Sequence, residues 1–206
     1  MMEAKPPAHS SHGRTRAALR RRMAPLLETE LPLEGVVFRS VGLRYATGED
    51  FLGGHGASLY GGRWNPPGLR AVYASGSPIT AVKEAYQSFL HYGFQPQTLK
   101  ARVQVALRFH LHRVLDLQSA EVLMQLRVGP AALVAEGWQE AIGKGEAVLT
   151  QDLGQLACEL GWEALRVPSA QDPEGWNLVL FPQTLLPESW VEVVDKESLP
   201  RHPVLT

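Results

Sequence analysis

The sequence has little cysteine, no long apolar run and no excess of charge of one sign. Its single cysteine, Cys158, excludes a disulfide within the chain and favours a reducing compartment. No apolar run approaches the roughly 18 residues of a membrane span, and the N-terminus lacks the apolar segment of a secretory signal. We therefore expect a cytoplasmic protein that does not enter a membrane.

The net charge of −1 argues against a domain whose whole surface attracts nucleic acid. The chain also lacks the P-loop pattern, a G-x-G-x-x-G element between a strand and a helix, the H-E-x-x-H zinc motif and the G-x-S-x-G serine motif. His110 and His112 alternate on one predicted strand without a carboxylate or thiol cluster around them. We predict no metal site, and we expect Cys158 to fill a core rather than to act as a nucleophile.

The chain of 206 residues, of which 45 % are hydrophobic, has the size and composition of one globular domain. Residues 1–13 are polar and interrupted by prolines, which predicts a disordered tail. Residues 14–34 include five arginines between Arg14 and Arg22 and predict a basic helix. Two alternatives remain for this helix. Its arginines form a patch that docks phosphate or a partner, or they form a solvated face. Residues 35–206 form the predicted domain.

The clearest strand covers residues 101–111, where apolar and polar side chains alternate. The apolar face consists of Val103, Val105, Leu107, Phe109 and Leu111, and the polar face includes Arg102, Gln104, Arg108 and His110. This alternation is typical of an antiparallel strand with one solvated face. Further strands are predicted at residues 36–40, 71–75, 114–117, 176–182 and 189–195.

Helical signals separate these strands. One helix begins at Ser77-Pro78, with Gly93 as its end, and a second begins with Thr150 as N-cap and ends at Gly161. The apolar stripe of the first helix is predicted to be Ile79, Val82, Tyr86, Phe89 and Leu90. A third helix covers residues 119–126 or 130–142. The predicted fold is α/β (α+β), a compact single domain with a mainly antiparallel sheet and flanking helices.

A glycine-rich segment, residues 53–75, has six glycines and places Arg63 directly after Gly61-Gly62. Glycine permits positive φ and close approach of the backbone to a ligand. The planar guanidinium of an arginine on such a turn suits a diphosphate or a carboxylate. The alternative is a hairpin loop with a surface Arg63 and a core Trp64.

Glu84 lies five positions after Ile79, so helical periodicity places it opposite the predicted apolar stripe. Periodicity alone therefore predicts a solvated carboxylate. The helix follows the strand at 71–75 directly, however, so this face is also able to border the glycine-rich segment.

Three elements in this order resemble the RES-domain family of bacterial toxins. They are GASLYGGRWNPPG, AVYASGSPITAVKE and LRVPSAQDPEGWNLVLFP, and the resemblance spans roughly residues 36–194. It implies a fold similar to diphtheria-type ADP-ribosyltransferases and the degradation of NAD by hydrolysis, or by phosphorolysis with inorganic phosphate as co-substrate. It also implies an Xre-like antitoxin as the partner that covers the active site, and an oligomer in the toxin–antitoxin complex.

The resemblance assigns functional residues to matching positions. Arg39, Tyr73 and Glu84 are the catalytic candidates, and the NAD-binding candidates are Arg39, Arg63, Tyr73, Tyr60, Thr150 and Ser169. Thr150 stands next to the Q-x-x-G element, where some members have a functional serine, and Ser169 fits the common family pattern. Glu84 is expected to stabilise charge on the ribose, and the two arginines to hold the diphosphate. Tyr73 would stack on the nicotinamide or hydrogen-bond near it.

Three other functions compete with NAD cleavage. The first is transfer of ADP-ribose to a protein from the same cleft, and the second is a non-catalytic module that has kept the fold. The third is nucleic-acid binding by the Arg14–Arg22 segment, which would be strongly salt-dependent.

Overall fold

The computed structural model of the protein describes residues 8–29, 32–91, 101–135 and 137–199. The strands in these residues are β1 (Leu33–Gly42), β2 (Val72–Ser75), β3 (Arg102–Leu111), β4 (Val114–Asp116), β5 (Ala164–Pro168), β6 (Trp176–Leu180) and β7 (Trp190–Val193). They form one sheet in the order β4-β5-β6-β2-β1-β3-β7. Only β4 and β5 pair in parallel, and the other neighbours are antiparallel. The predicted single α/β domain with a mainly antiparallel sheet is confirmed.

Helices flank this sheet. In the described residues they are α1 (Ala8–Met23), α2 (Gly48–Gly53), α3 (His55–Tyr60), α4 (Pro78–His91), α5 (Ala120–Leu126), α6 (Pro130–Val134), α7 (Trp138–Gly143) and α8 (Leu149–Leu160). The two ranges considered for a third helix both contain helices, because α5 is followed by α6 and α7 as separate short turns. None of these helices is both long and apolar enough to cross a membrane.

The two faces of the sheet bury separate cores, because successive side chains of a strand point to opposite sides. On β2, Tyr73 packs against the first core, whereas Val72 and Ala74 belong to the second. The first core is covered by helices and includes Met23, Trp64, Leu153, Trp162, Leu165 and Val179. The second core includes Val37, Phe51, Leu107, Phe109, Leu178 and Leu180. The alternation predicted for β3 is confirmed, since its apolar face from Val105 to Leu111 is buried.

The apolar stripe predicted for α4 is wrong at its first two positions, whereas its third, Tyr86, is half-buried. Ile79 and Val82 are exposed, at 67 % and 42 %, whereas Thr80 and Ala81 are buried. The helix is held by its polar side chains, because Thr80 Oγ1 donates to Asp172 Oδ2 at 2.7 Å. This anchor turns α4 so that its polar side faces the sheet. The side chains of Phe89 and Leu90 and the predicted end at Gly93 lie outside the described residues.

The predicted helix at Thr150 is present, but Thr150 is not its N-cap. Helix α8 begins at Leu149 after Val148, which makes no side-chain capping bond, and Thr150 is buried within the first turn. Gly161 ends the helix with a φ of 91°, as predicted. Cys158 lies half-buried on this helix and packs against the first core, and burial raises the pKa of its thiol.

The basic N-terminal segment forms α1, which packs onto the domain. The helix begins at Ala8, so residues 8–13 are helical where a tail was predicted, and residues 1–7 lie outside the described range. Leu19 and Met23 are buried in the first core. Arg16 and Arg20 form ion pairs with carboxylates of α8. Arg20 and Arg21 are exposed, in agreement with the solvated face, whereas Arg16 and Arg20 also attach the helix to its own domain, which neither alternative included.

One fully buried carboxylate, that of Glu163, ties the turn between β3 and β4 to the chain before β7. Its Oε2 accepts from the backbone N–H groups of His112 and Arg113, at 2.7 and 2.8 Å. Its Oε1 accepts from the N–H of Leu186 at 2.9 Å. Both oxygens are therefore satisfied by backbone donors, which is what a buried carboxylate requires.

Candidate active site

The glycine-rich segment begins at the last residue of α2 and forms α3, a tight turn that contains Arg63, and β2. Gly54 separates the two helices with a φ of 68°, and its Cα lies so close to Ala71 that a Cβ would touch that backbone. The turn is closed by a bridge between Gly62 and Asn65, with the Gly62 N–H donating to the Asn65 carbonyl at 2.8 Å. The predicted loop is therefore an ordered structure that presents Arg63 at its tip.

Tyr73 supports this turn from beneath. Its hydroxyl donates to Asn65 Oδ1 at 2.7 Å and accepts from the backbone N–H of Trp64 at 3.0 Å. Burial raises the pKa of this phenol, so it is neutral under physiological conditions. A Cβ on residue 62 would collide with the hydroxyl, which explains why glycine occupies that position. The structure therefore gives Tyr73 a role in holding the turn.

Arg39 is a half-buried cation on β1, between Val37 and Val41 of the second core. Its Nη1 donates to the Tyr73 carbonyl at 2.8 Å, and its Nε has no hydrogen-bond partner among the described residues. Burial, followed by the nearby charge of Arg102, lowers the pKa of Arg39 to about 10, so the side chain remains charged at neutral pH. A buried donor without a partner is unusual and suits an anionic ligand.

Arg63 adds a second positive charge near Tyr73. Its Nη1 donates to the carbonyl of Ala135 at 2.7 Å, which connects the turn to the end of α6. The charges of Arg63 and Arg39 both favour the ionised form of Tyr73 and oppose the effect of burial on its pKa. Both guanidinium groups therefore act on Tyr73, and guanidinium groups suit a diphosphate.

Glu84 faces the sheet rather than solvent. Its Oε1 accepts two short hydrogen bonds, from Ser169 Oγ at 2.6 Å and from Asn177 Nδ2 at 2.7 Å. Among the described residues no donor reaches Oε2, and the side chain is half-buried. The prediction from periodicity, a solvated carboxylate, is wrong. One oxygen is held by the protein and the other is available to a ligand.

Ser169 donates its hydroxyl hydrogen to Glu84. Its Oγ accepts from the backbone N–H groups of Gln171 and Asp172, at 3.1 and 3.0 Å, so its hydrogen points to Glu84. Asp172 in turn accepts from Thr80 and Lys83 of α4, and these bonds lower the pKa of Asp172. The segment that carries Ser169 is thereby fastened to the helix that carries Glu84.

Asn177 is a site residue that the sequence did not single out. It pairs with Ser75 across β2 and β6, and its Oδ1 accepts from Ser75 Oγ at 2.7 Å. This bond sets the orientation of the amide, so that Nδ2 points to Glu84. Asn177 stands within the WNLVLFP segment, and its position two residues before the buried Val179 places it on the face of the first core. That spacing is the feature of the sequence from which Asn177 could have been identified as a site residue.

The two groups of residues are neighbours along β2. Ser75 belongs to the Glu84 group, and Tyr73, whose carbonyl binds Arg39, lies two residues earlier on the same face. Two residues of a strand span about 7 Å. The backbone of β2 therefore links the two groups, although Arg39 extends from β1 beside Val37 and Val41 of the second core, whereas Ser75 and Asn177 lie on the face of the first core.

The remaining candidates lie at the margins of this arrangement. Tyr60 is 84 % exposed at the end of α3, next to the Arg63 turn. Thr150 is buried, and its hydroxyl has no partner among the described residues. Within the same residues, no group of three or more histidine, cysteine or acidic side chains is arranged to hold a metal ion.

Comparisons with known proteins agree with this architecture. The sequence model of the RES domain matches residues 36–202. None of the curated proteins matches the chain. Seven chains of solved structures match, and one belongs to the M. tuberculosis MbcT–MbcA toxin–antitoxin complex. That chain is 20 % identical in sequence and superposes with a TM-score of 0.64, covering 86 % of this chain and 90 % of its own length. The family match covers most of the chain, and the protein belongs to the RES domain family.

Proposed function

We propose that the protein cleaves the bond between nicotinamide and ribose in NAD, as a glycohydrolase or a phosphorylase. The observation that carries this proposal is the carboxylate of Glu84, which is held through Oε1 and leaves Oε2 for a ligand. Arg39, whose buried Nε has no partner among the described residues, binds the carbonyl of Tyr73, two residues before Ser75 of the Glu84 group, and Arg63 supplies a second cation near Tyr73. This pairing of one oriented carboxylate with two guanidinium groups matches a ligand that has a ribose and a diphosphate.

The chemistry requires little more than these groups. Breaking the bond to nicotinamide develops positive charge on the ribose, as in glycoside hydrolysis. Because nicotinamide is already a good leaving group, no general acid is needed, and Glu84 would stabilise the developing cation through Oε2. Arg39 and Arg63 would hold the diphosphate by charge-assisted hydrogen bonds. Water or inorganic phosphate would then attack the ribose.

In the cell, loss of NAD would make the protein a toxin, and an Xre-like antitoxin would be its partner. The structural likeness to a chain of a toxin–antitoxin complex supports this part of the proposal. The surface beside the site also has exposed apolar side chains that a partner could cover, namely Leu59, Tyr60, Ile79 and Val82.

The test is NAD loss over time with the purified protein, with and without inorganic phosphate. We expect NAD to disappear with release of nicotinamide; a requirement for phosphate would identify a phosphorylase, and loss without phosphate a glycohydrolase. Labelling of a protein by the ADP-ribose part of NAD, with little free product, would instead indicate a transferase. No NAD loss and no labelling would contradict the proposal and favour a non-catalytic module.

Asn177 provides a second test, because it orients Glu84 without contacting the ligand in this scheme. Replacing Asn177 by leucine removes one of two donors to Oε1 and leaves the Ser75 hydroxyl without its acceptor. We expect kcat for NAD cleavage to fall by about 10- to 100-fold, because one lost hydrogen bond to a charged group is worth roughly 1.5–3 kcal/mol, with KM within about twofold. Ser75→Ala, which only releases the amide, should have a smaller effect. Unchanged kcat in both variants would remove Asn177 from the positioning of Glu84.

A further inference from the structure

Helix α8 contacts three different parts of the protein with three faces. At about 100° per residue, Gln151 and Gly154 share one face, and this face meets the turn that contains Arg63. Asp152 and Glu159 share a second face, which meets α1. The third face is apolar and lies in the first core, with Leu153 and Ala157.

The face toward the turn is built for close contact with backbone. Gln151 Nε2 donates to the carbonyls of Gly62 and Asn65, at 2.8 and 3.2 Å, and these two residues flank Arg63-Trp64. The Trp64 carbonyl oxygen lies against the Cα of Gly154, where a Cβ would overlap it. Three carbonyls of the turn, those of Gly62, Trp64 and Asn65, are thus in contact with the first turns of α8.

The face toward α1 is polar and holds a part of the chain that precedes the family match at residues 36–202. Arg16 Nη2 donates to Glu159 Oε1 at 2.6 Å, and its Nη1 reaches Asp152 Oδ1 at 3.2 Å and Gln155 Oε1 at 3.4 Å. Arg20 donates to the other oxygen of Glu159 at 2.9 Å. One arginine therefore spans two turns of α8, from Asp152 beside Gln151 to Glu159.

We propose that Gln151 positions the Arg63 turn for ligand binding and that α1, through Arg16, is an intramolecular brace that keeps α8 in place beneath it. The proposal rests on the proposed function, since the ligand held by Arg63 is taken to be the diphosphate of NAD. It makes an N-terminal element an indirect support of the binding site. The brace acts on affinity rather than on the chemical step, because Glu84 is held by α4, Ser169 and Asn177 and not by α8.

The test compares Gln151→Leu, Arg16→Ala and Arg21→Ala in the full chain. Arg21 is exposed on the same helix as Arg16 and gives the matched control for loss of a positive charge.

Two measurements are needed for each variant. Hydrogen exchange of the segment 60–66 reports the order of the turn without any activity, through amides such as that of Gly62, which bonds to the Asn65 carbonyl. Steady-state kinetics with NAD separate KM from kcat.

We expect Gln151→Leu to speed exchange of the segment 60–66 and to raise KM for NAD, each by about tenfold, with kcat within about twofold. Arg16→Ala should raise the exchange rate of this segment and KM by about threefold, because partly exposed ion pairs contribute less. Arg21→Ala should match the wild type in both. Unchanged exchange in Gln151→Leu, faster exchange spread evenly over the chain, or a fall in kcat at constant KM would overturn the proposal. If the wild type does not consume NAD, the proposed function fails, and exchange alone still decides whether the brace exists.

Discussion

Glu84→Gln is expected to slow NAD cleavage by about 10³-fold while the protein folds normally. The glutamine side chain has nearly the same shape, so its oxygen can still accept from Ser169 and Asn177 as Oε1 does. Its amide nitrogen then stands where Oε2 was and presents a donor instead of a negative charge to the ribose. Losing one preorganised electrostatic group in an active site typically costs about 10²–10³ in rate. The measurement is kcat from NAD loss.

The control for this variant is Glu188→Gln, which removes the same charge at an exposed position. We expect its kcat to equal that of the wild type. Circular dichroism and the melting temperature of Glu84→Gln should also match the wild type, because both donors keep their acceptor. Full turnover by a folded Glu84→Gln protein would rule out Glu84 as the group that stabilises the ribose cation.

Glu163→Ala is expected to lower the free energy of unfolding by about 3–5 kcal/mol, because removing an acceptor leaves buried donors unsatisfied. Three backbone N–H groups, those of His112, Arg113 and Leu186, would lose their acceptor in a fully buried place. For a chain of this size, such a change lowers the melting temperature by roughly 10 °C. Urea unfolding and calorimetry measure both quantities.

Glu163→Gln keeps the size of the side chain, so it shows how much of the loss in Glu163→Ala comes from the hydrogen bonds. Its single carbonyl oxygen can serve His112 and Arg113, but its amide would then point a donor at the N–H of Leu186. We expect an intermediate loss of about 1–3 kcal/mol. Glu197→Ala, at an exposed position, should be neutral. A Glu163→Ala protein with wild-type stability would show that these three hydrogen bonds contribute nothing to the fold.

Local patterns in the sequence predicted the elements whose signals are local. The period-2 alternation of β3 and the glycine that ends α8 both reflect conformations of a few consecutive residues, and both are confirmed. Strand β5 was not predicted, although its residues Ala164–Pro168 form the parallel pair with β4. A strand buried on both sides has no alternating pattern, so only its partners identify it.

Helix α4 shows where periodicity fails. An apolar stripe predicts which face is buried only if apolar contacts decide the rotation of the helix. In α4 the rotation follows from hydrogen bonds of Thr80 and Lys83 to Asp172, a residue about 90 positions later. Ile79 and Val82 are left exposed, and Glu84 is brought against Ser169 and Asn177. No window of neighbouring residues contains that information.

The sequence by itself determined the class of the domain, most of its strands, the glycine turn around Arg63 and the names of the site candidates through their motifs. Only the tertiary structure decided their roles: which oxygen of Glu84 is held, that the Tyr73 hydroxyl supports the turn, and that α1 packs on α8. The physical reason is the distance along the sequence between the residues that interact. Backbone conformation is set by adjacent residues, whereas the direction of a hydrogen bond depends on partners that the fold brings from 85 or 143 positions away.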